Sequence, residues 1–154
     1  MGALGIMRST IDLDFLVNAD DLPAVAKILD TYGYHCVYKT ENVSQYVADI
    51  KIFGEIDLLH AFRKISLSML KRAKKIAVLE GKCSLKVLQP EDIIGLKLQA
   101  LSNDTSRSQR EYADIENIMA YFNKKLDWTL LKEYFTVFKK TKEFEKLRKK
   151  HGKT

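Results

Sequence analysis

Two aspartates, Asp12 and Asp14, interrupt an apolar segment that runs from Ile11 to Val17. A β-strand has a side-chain period of two, so both aspartates lie on one face and the alternate apolar residues lie on the other. The apolar face can bury against a core, while the opposite face carries two carboxylates about 7 Å apart along the strand. The pattern therefore predicts a strand over residues 10–17 with one acidic face.

The aspartate pair points to a metal site or to a solvated strand end. Two carboxylates held close together repel each other, which raises a pKa or recruits a cation. Hard oxygen ligands at this spacing suit Mg²⁺, which keeps its remaining positions for water and substrate phosphates. Asp-x-Asp is also common at exposed strand ends, so the spacing alone leaves both interpretations open.

A third carboxylate would complete a site for two divalent ions. Asp57 lies in a second apolar segment, residues 56–59, and Asp49 lies in a predicted strand over residues 46–53. Two metal ions can bind the attacking and leaving oxygens of an in-line displacement at phosphorus, and a carboxylate can serve as base for the incoming hydroxyl. Asp57 is preferred over Asp49 because its apolar neighbours hold it more tightly.

Composition narrows the class of protein. At 154 residues, with 46% hydrophobic and 10% aromatic residues, the chain has enough apolar material for one domain, with or without a helical appendage. It shows neither an apolar stretch long enough to span a bilayer nor a signal peptide, so we expect no membrane partner. Cys36 and Cys83 lack metal-type spacing and are predicted to be free buried thiols in a reducing cytoplasm. His35, His60 and His151 form no cluster, which argues against zinc.

The positive charge is concentrated at the C-terminus. Residues 139–154 hold eight Lys or Arg and two Glu, which equals the net charge of +6 of the whole chain. Such a segment can contact phosphate backbones and release counterions. It can equally be a solubilising helix end, where lysines suit the negative end of the dipole. Both interpretations stay open.

The predicted elements divide the chain into an α/β part and a helical part. Residues 1–89 are predicted as an α/β core and residues 90–154 as a helical segment with a basic tail, which makes the fold class α+β with a mixed sheet and flanking helices. Besides the three strands already described, the predicted elements are helices over residues 23–31, 62–73, 90–101, 107–122 and 128–138, strands over residues 34–38, 75–79 and 83–88, and a last helix in the basic segment.

Four segments, taken together, resemble a known superfamily. The segment from Gly5 to Val17 resembles the signature of the nucleotidyltransferase superfamily, which has the fold of DNA polymerase beta, and its Arg-x-Thr-x-Asp-x-Asp form is typical of the bacterial AbiEii-like branch, known as toxins of toxin–antitoxin pairs. The other segments that resemble this branch are Ile56–Ala61, Pro90–Ala100 and Asn103–Ile115. The resemblance covers roughly residues 2–120.

The resemblance implies roles for particular residues. Asp12, Asp14 and Asp57 would bind Mg²⁺ or Mn²⁺, and Lys97 would approach the phosphates of an NTP or the pyrophosphate that leaves, where a compact cation is useful. Arg8 and Arg107 are lesser candidates for binding the phosphates. Asp114 would orient Lys97 or contact the nucleotide. From the residues alone, Lys97 can also be a snorkelling lysine on a half-buried helix, and Asp114 a surface acid paired with Arg110.

The resemblance also implies an activity. The expected reaction transfers a nucleoside monophosphate from an NTP to an acceptor, which can be RNA or tRNA, a protein or a small hydroxyl compound, and an antitoxin protein is a further expected partner. The family pattern has a Gly-Gly or Gly-Ser pair before the first aspartate, whose backbone amides approach the triphosphate. Only Gly2 stands in that place. We therefore expect either a truncated chain that begins inside the motif or a catalytically impaired binding module that acts through a partner.

Overall fold

The computed structural model describes residues 12–104, 106 and 108–152, apart from the side chain of Lys51. Within these residues the chain divides between Ala73 and Lys74 into two compact units, called here the N-terminal and the C-terminal unit. The boundary predicted from the pattern of elements lies later, between residues 89 and 90, so the hairpin that begins at Lys74 groups with the C-terminal unit.

The fold class is α+β, as predicted. In chain order the described elements are β1 (Leu13–Asn18), α1 (Leu22–Thr31), β2 (Tyr34–Lys39), β3 (Val43–Ala48), β4 (Glu55–Ala61), α2 (Lys64–Arg72), β5 (Lys74–Val78), β6 (Cys83–Val87), α3 (Pro90–Asn103), α4 (Ser108–Phe122), α5 (Trp128–Val137) and α6 (Thr141–His151). Short 3-10 turns lie at Ala19–Asp21, Lys51–Phe53 and Asn123–Lys125.

The N-terminal unit is built on a four-stranded mixed sheet with the strand order β1-β4-β3-β2. β1 and β4 are parallel, whereas β3 is antiparallel to both β4 and β2. The chain leaves β1 through α1, makes the antiparallel pair β2–β3, and returns as β4 beside β1. This excursion brings two segments that are distant in sequence into direct pairing.

Helix α1 packs against one face of the sheet. The buried residues Tyr46, Ile56 and Leu58 form a core cluster against which half-buried residues of α1 and the end of β1 pack, namely Val17, Leu22, Val25, Ala26 and Leu29, together with Tyr34. Pro23 lies in the first turn of α1, where its missing N–H costs nothing. The core of this unit therefore lies on the face of β4 opposite Asp57, since side chains alternate along a strand.

The apolar face of β1 is only partly buried, which differs from the expectation. Val17 joins the core cluster, but Leu13 is 53% exposed and Phe15 is 41% exposed. The reason is that β1 is an edge strand of the described sheet, and only Val17, near its C-terminal end, packs against the core cluster, whereas Leu13 and Phe15 do not.

The strand predicted over residues 46–53 is wrong in its bounds. β3 begins earlier, at Val43, and ends at Ala48. The backbone N–H of Asp49 donates to the carbonyl of Gly33, which has φ +75°, and the chain then bends into the turn Lys51–Phe53. The alternation of apolar residues after Ala48 therefore belongs to a turn, and Asp49 lies outside the strand.

The cysteines and histidines also test the sequence predictions. Cys36 and Cys83 are free thiols, as expected, but both are exposed and not buried. The difference arises because Cys36 lies on the edge strand β2 and Cys83 on a two-stranded hairpin, which have too few neighbours to cover them. His60 is a packing histidine: its Nδ1 lies 2.9 Å from the carbonyl oxygen of Glu41, and its Nε2 lies 3.0 Å from the hydroxyl of Ser44.

The C-terminal unit is a hairpin, β5–β6, followed by four packed helices in the described chain. Its fully buried apolar side chains are Ile94, Leu98, Leu101, Ile115, Ile118, Met119, Leu131, Phe135 and Phe144. The basic segment is a helix, as predicted, and it is packed, because Phe144 and Leu147 of α6 are buried. No helix in the described part of the chain is long and apolar enough to cross a membrane.

Two buried carboxylates tie the start of α3 to the region of α5. The hydroxyl of Tyr134 donates to Asp92 Oδ1 at 2.6 Å, and Asp92 is fully buried. The backbone N–H of Asp127 donates to Glu91 Oε1 at 2.6 Å, while the Asp127 side chain caps α5 by accepting from the N–H groups of Thr129 and Leu130. These bonds satisfy acids that would otherwise be costly to bury.

We expect Tyr134→Phe to destabilise the protein by about 1.5–3 kcal/mol, because a hydrogen bond to a buried charged group is lost while the ring stays. Urea unfolding monitored by circular dichroism measures the change. The matched control is Tyr121→Phe, since Tyr121 is 60% exposed. Equal unfolding midpoints for the two variants would contradict the role given to the Tyr134 hydroxyl.

Candidate active site

The parallel pair β1–β4 places two aspartates side by side. Asp14 and Asp57 are partners in the strand register, flanked by the pairs Leu13–Ile56 and Phe15–Leu58. Partners on neighbouring strands share a face and are about 5 Å apart at the backbone. The two segments that were singled out for their aspartates are therefore neighbours, and their carboxylates lie on the face opposite the core cluster.

One carboxylate oxygen of Asp57 is buried without a hydrogen bond. Asp57 as a whole is half-buried, and its Oδ1 is buried and has no hydrogen-bond partner within the described residues. An unsatisfied buried carboxylate oxygen is costly, and a cation bound to it would remove that cost. Oxygen donors from Asp14 and Asp57 fit a hard divalent ion such as Mg²⁺.

Asp12 lies immediately before β1 and is exposed, as is Asp14. Asp12 is two residues before Asp14, which is the side-chain period of a strand, so the sequence pattern places both on one face. No group of three or more His, Cys, Asp or Glu side chains among the described residues converges closely enough to hold a metal ion. The feature that the structure brings together is thus the pair Asp14–Asp57.

Two further polar residues share this face, and the sequence analysis did not identify either of them as a site residue. Gln45 of β3 is the register partner of Asp57, and Glu55 lies two residues before Asp57 on β4. The period of two could have identified Glu55. Gln45 could not be found in this way, because its position depends on where β3 begins and how it pairs.

Asp49, the alternative third carboxylate, has a different environment. Its Oδ1 lies 2.9 Å from Nε2 of His35, and both side chains are well exposed. It follows the end of β3 and has no register partner on β4. The structure therefore separates Asp49 from the pair Asp14–Asp57.

A second charged cluster lies within the C-terminal unit, between α3 and α4. Lys97 Nζ is 2.6 Å from Asp114 Oδ2 and 2.9 Å from Glu111 Oε2. The three side chains are only 15%, 11% and 12% exposed, in the order Lys97, Asp114, Glu111. Lys97 therefore does not extend into solvent, and Asp114 is a buried partner of Lys97 instead of a surface acid.

Glu111 was not identified as a site residue from the sequence. The signal that could have found it is its spacing from Asp114: two acids three residues apart share one face of a helix. The Lys97 ammonium thus lies between two carboxylates that come from adjacent turns of α4. This geometry fixes the position of the ammonium from two sides.

Three residues assigned by resemblance, Gly2, Arg8 and Arg107, lie outside the described residues. Their places relative to the two acidic clusters are not part of the structure.

The fold and the acidic pair together indicate a class of protein. An α+β unit with a mixed sheet, an acidic pair across its parallel strands and helices following the sheet is consistent with the nucleotidyltransferase fold. A comparison with family models gives the family: the model described as "Uncharacterised nucleotidyltransferase" matches residues 6–144. The chain belongs to this family of nucleotidyltransferases. A search of curated proteins found no match.

We expect Lys97→Met to destabilise the protein by about 3 kcal/mol, because the substitution removes the ammonium that contacts two nearly buried carboxylates. Urea unfolding at neutral pH measures the effect. Lys132→Met is the matched control, since Lys132 is exposed on α5. A Lys97→Met variant as stable as the control would show that the cluster does not hold α3 and α4 together.

Proposed function

We propose that the chain transfers a nucleoside monophosphate from an NTP to a hydroxyl acceptor in a reaction that depends on Mg²⁺ or Mn²⁺. The observation that carries the proposal is the register pair Asp14–Asp57, with a buried, unsatisfied oxygen on Asp57. Membership of a nucleotidyltransferase family supports the reaction type. The resemblance to the AbiEii-like branch extends the proposal to a cytoplasmic toxin with an antitoxin partner.

The residues of the N-terminal unit have separate roles in this proposal. Asp12 and Asp14 would hold the metal ion that binds the nucleotide phosphates, and Asp57 would share a metal and take the proton from the incoming hydroxyl. The hydroxyl oxygen forms a bond to the α-phosphorus, the bond from that phosphorus to the bridging oxygen breaks, and pyrophosphate leaves. The bound metal supplies charge neutralisation at the phosphates when present.

The proposed role of Lys97 is to stabilise charge on the nucleotide phosphates or the leaving pyrophosphate. Because Asp114 and Glu111 hold its ammonium at 2.6 and 2.9 Å, we assign to these acids the task of fixing its position. Such a lysine would pay little conformational entropy at the moment of reaction, since its side chain is already ordered.

We expect Asp14→Asn and Asp57→Asn each to lower the rate of metal-dependent transfer by about 10²–10⁴-fold, the loss that corresponds to several kcal/mol of transition-state stabilisation from a metal site. The measurement is incorporation of radiolabelled NTPs, each supplied with Mg²⁺ or Mn²⁺, into total RNA, protein or small alcohols. Asp49→Asn is the matched control, since this strand-end acid pairs with His35 and stays outside the pair.

A second measurement separates this proposal from a catalytically impaired binding module. If the site binds nucleotide, an NTP with Mg²⁺ must raise the melting temperature, because a ligand that binds the native state stabilises it. The rise should be smaller in Asp14→Asn than in Asp49→Asn. A rise in melting temperature without any transfer would favour a module that binds but does not react; equal transfer by Asp14→Asn and the wild type would refute the catalytic proposal.

We propose RNA, including tRNA, as the acceptor class ahead of a protein or a small hydroxyl compound, on the basis of the surface of α6. Its apolar residues Phe144 and Leu147 are buried, so its basic residues are presented from a packed helix. Lys150 is engaged by Glu116 at 2.7 Å. Lys142, Lys146 and Lys149 are exposed and lie four and three residues apart, which places them along one side of the helix.

We expect the triple substitution Lys142→Gln, Lys146→Gln and Lys149→Gln to reduce the slope of log affinity against log salt by about 2–3, because each phosphate contact contributes slightly less than one. The measurement is fluorescence anisotropy of a labelled RNA across a salt series. The control, with the same loss of charge, neutralises Lys27, Lys64 and Lys71, which are exposed in the N-terminal unit. An equal change in slope for both triple variants would mean that only net charge matters.

A further inference from the structure

A row of four polar or aromatic residues crosses the sheet on the face that carries the aspartates. The register pairs Asp14 with Asp57, Asp57 with Gln45, and Gln45 with Tyr38. Register partners share a face, so the row runs β1, β4, β3, β2 with about 5 Å between neighbours. Gln45 and Tyr38 thus lie on the side of Asp57 that is away from Asp14, at about 5 and 10 Å.

An irregularity in β2 puts Tyr38 into this row. Cys36 pairs with Tyr46, so regular antiparallel pairing would place Val37 beside Gln45. The register shifts between Cys36 and Tyr38, and Tyr38 becomes the partner of Gln45 instead. β-bulges of this kind often lie next to active sites and change which side chain faces them.

The two side chains have unused binding capacity. Gln45 is half-buried, and its amide makes no hydrogen bond within the described residues. Because this amide makes no internal hydrogen bond in that part of the chain, its oxygen and its N–H groups can pair with the polar edge of a ligand. Tyr38 is 52% exposed and offers a planar ring at the end of the row. An amide beside a ring is suited to a nucleoside, with polar edges for the amide and a flat base for the ring.

We propose that Gln45 and Tyr38 form the acceptor subsite, where the terminal nucleoside of an RNA places its hydroxyl beside Asp57. This inference rests on the proposed function. In an in-line displacement the attacking and leaving oxygens lie on opposite sides of the phosphorus. Asp12 and Asp14 of β1 would hold the nucleotide phosphates, so the attacking hydroxyl comes from beyond Asp57, which is the side of Gln45 and Tyr38.

The subsite is tested by binding. The probe is a short unstructured oligoribonucleotide, fluorescein-labelled at one end and free at its terminal hydroxyl, and the readout is anisotropy at two salt concentrations. We expect Tyr38→Ala to weaken binding at least about fivefold, the low end of the contribution of one base–aromatic stack. We expect Gln45→Ala to weaken it by about fivefold, the loss typical of one hydrogen bond. The loss should be the same at both salt concentrations, because neither side chain releases counterions.

Two matched variants control for structure. Tyr38→Phe keeps the ring and should bind within twofold of the wild type. Val37→Ala alters the adjacent exposed residue, which has no place in the row, and should also leave affinity unchanged. Circular dichroism identifies any variant that has lost its fold, and since Gln45 and Tyr38 lie on different strands, either substitution can carry the test alone.

A third measurement distinguishes the acceptor from the nucleotide. The melting temperature with Mg²⁺ and an equimolar mixture of four NTPs should rise as much in Tyr38→Ala as in the wild type. If Tyr38→Ala instead abolishes that rise while RNA affinity stays intact, the row binds the NTP and the acceptor assignment is wrong. RNA binding by Tyr38→Ala equal to that of Val37→Ala also overturns it. If the wild type transfers no nucleotide, the proposed function is refuted. A loss of RNA affinity in Tyr38→Ala and Gln45→Ala would still show that the row binds RNA.

Discussion

The parallel pairing of β1 with β4 is the constraint on which the N-terminal unit depends. It requires the chain to travel through α1, β2 and β3 before β4 can return beside β1. A slip of one residue in this pairing would set Asp14 beside Ile56 or Leu58 and move the polar set of one strand to the other face. The buried residues Ile56 and Leu58 oppose such a slip, because they would leave the core cluster. The apolar core thus sets the register, and the register sets the distance between the carboxylates.

The two acidic clusters differ in how their charge is balanced. Asp114 and Glu111 meet a cation of the same chain, and their short contacts to Lys97 make them part of the packing of α3 against α4. Asp57 has a buried oxygen with no partner in the described chain, beside a second acid in register. A buried oxygen without a hydrogen bond destabilises the folded chain, and the binding of a cation would offset that penalty. The carboxylates beside Lys97 are therefore paired within the fold, whereas the unpartnered oxygen of Asp57 is the observation on which the proposed metal site rests.

Local sequence signals predicted most of the helices and strands, and they failed where the answer depended on neighbours. The predicted starts of α1, α3 and α5 lie within one residue of the observed ones. Pro23 and Pro90 lie in the first turns of α1 and α3, and local signals of this kind act within one turn. The end of β3 was misplaced, since its apolar alternation continues into a turn. The exposure of Leu13, Phe15 and Cys36 follows from their positions on edge strands, which composition does not reveal. For the same reason Asp57 could be found from its own segment, but Gln45 required knowledge of the pairing.

The packing of α6 also changes what the concentrated positive charge can do. A free basic tail would have to order itself on a nucleic acid and would lose conformational entropy in doing so. The basic residues from Thr141 to His151 lie instead on a helix held by Phe144 and Leu147 and by the ion pair Lys150–Glu116. The spacing of its exposed lysines is therefore fixed before any partner arrives. In the proposed binding of RNA, a phosphate backbone that matches this spacing would gain contacts without that entropy cost, so the shape of the helix would contribute to the choice of partner as well as its charge.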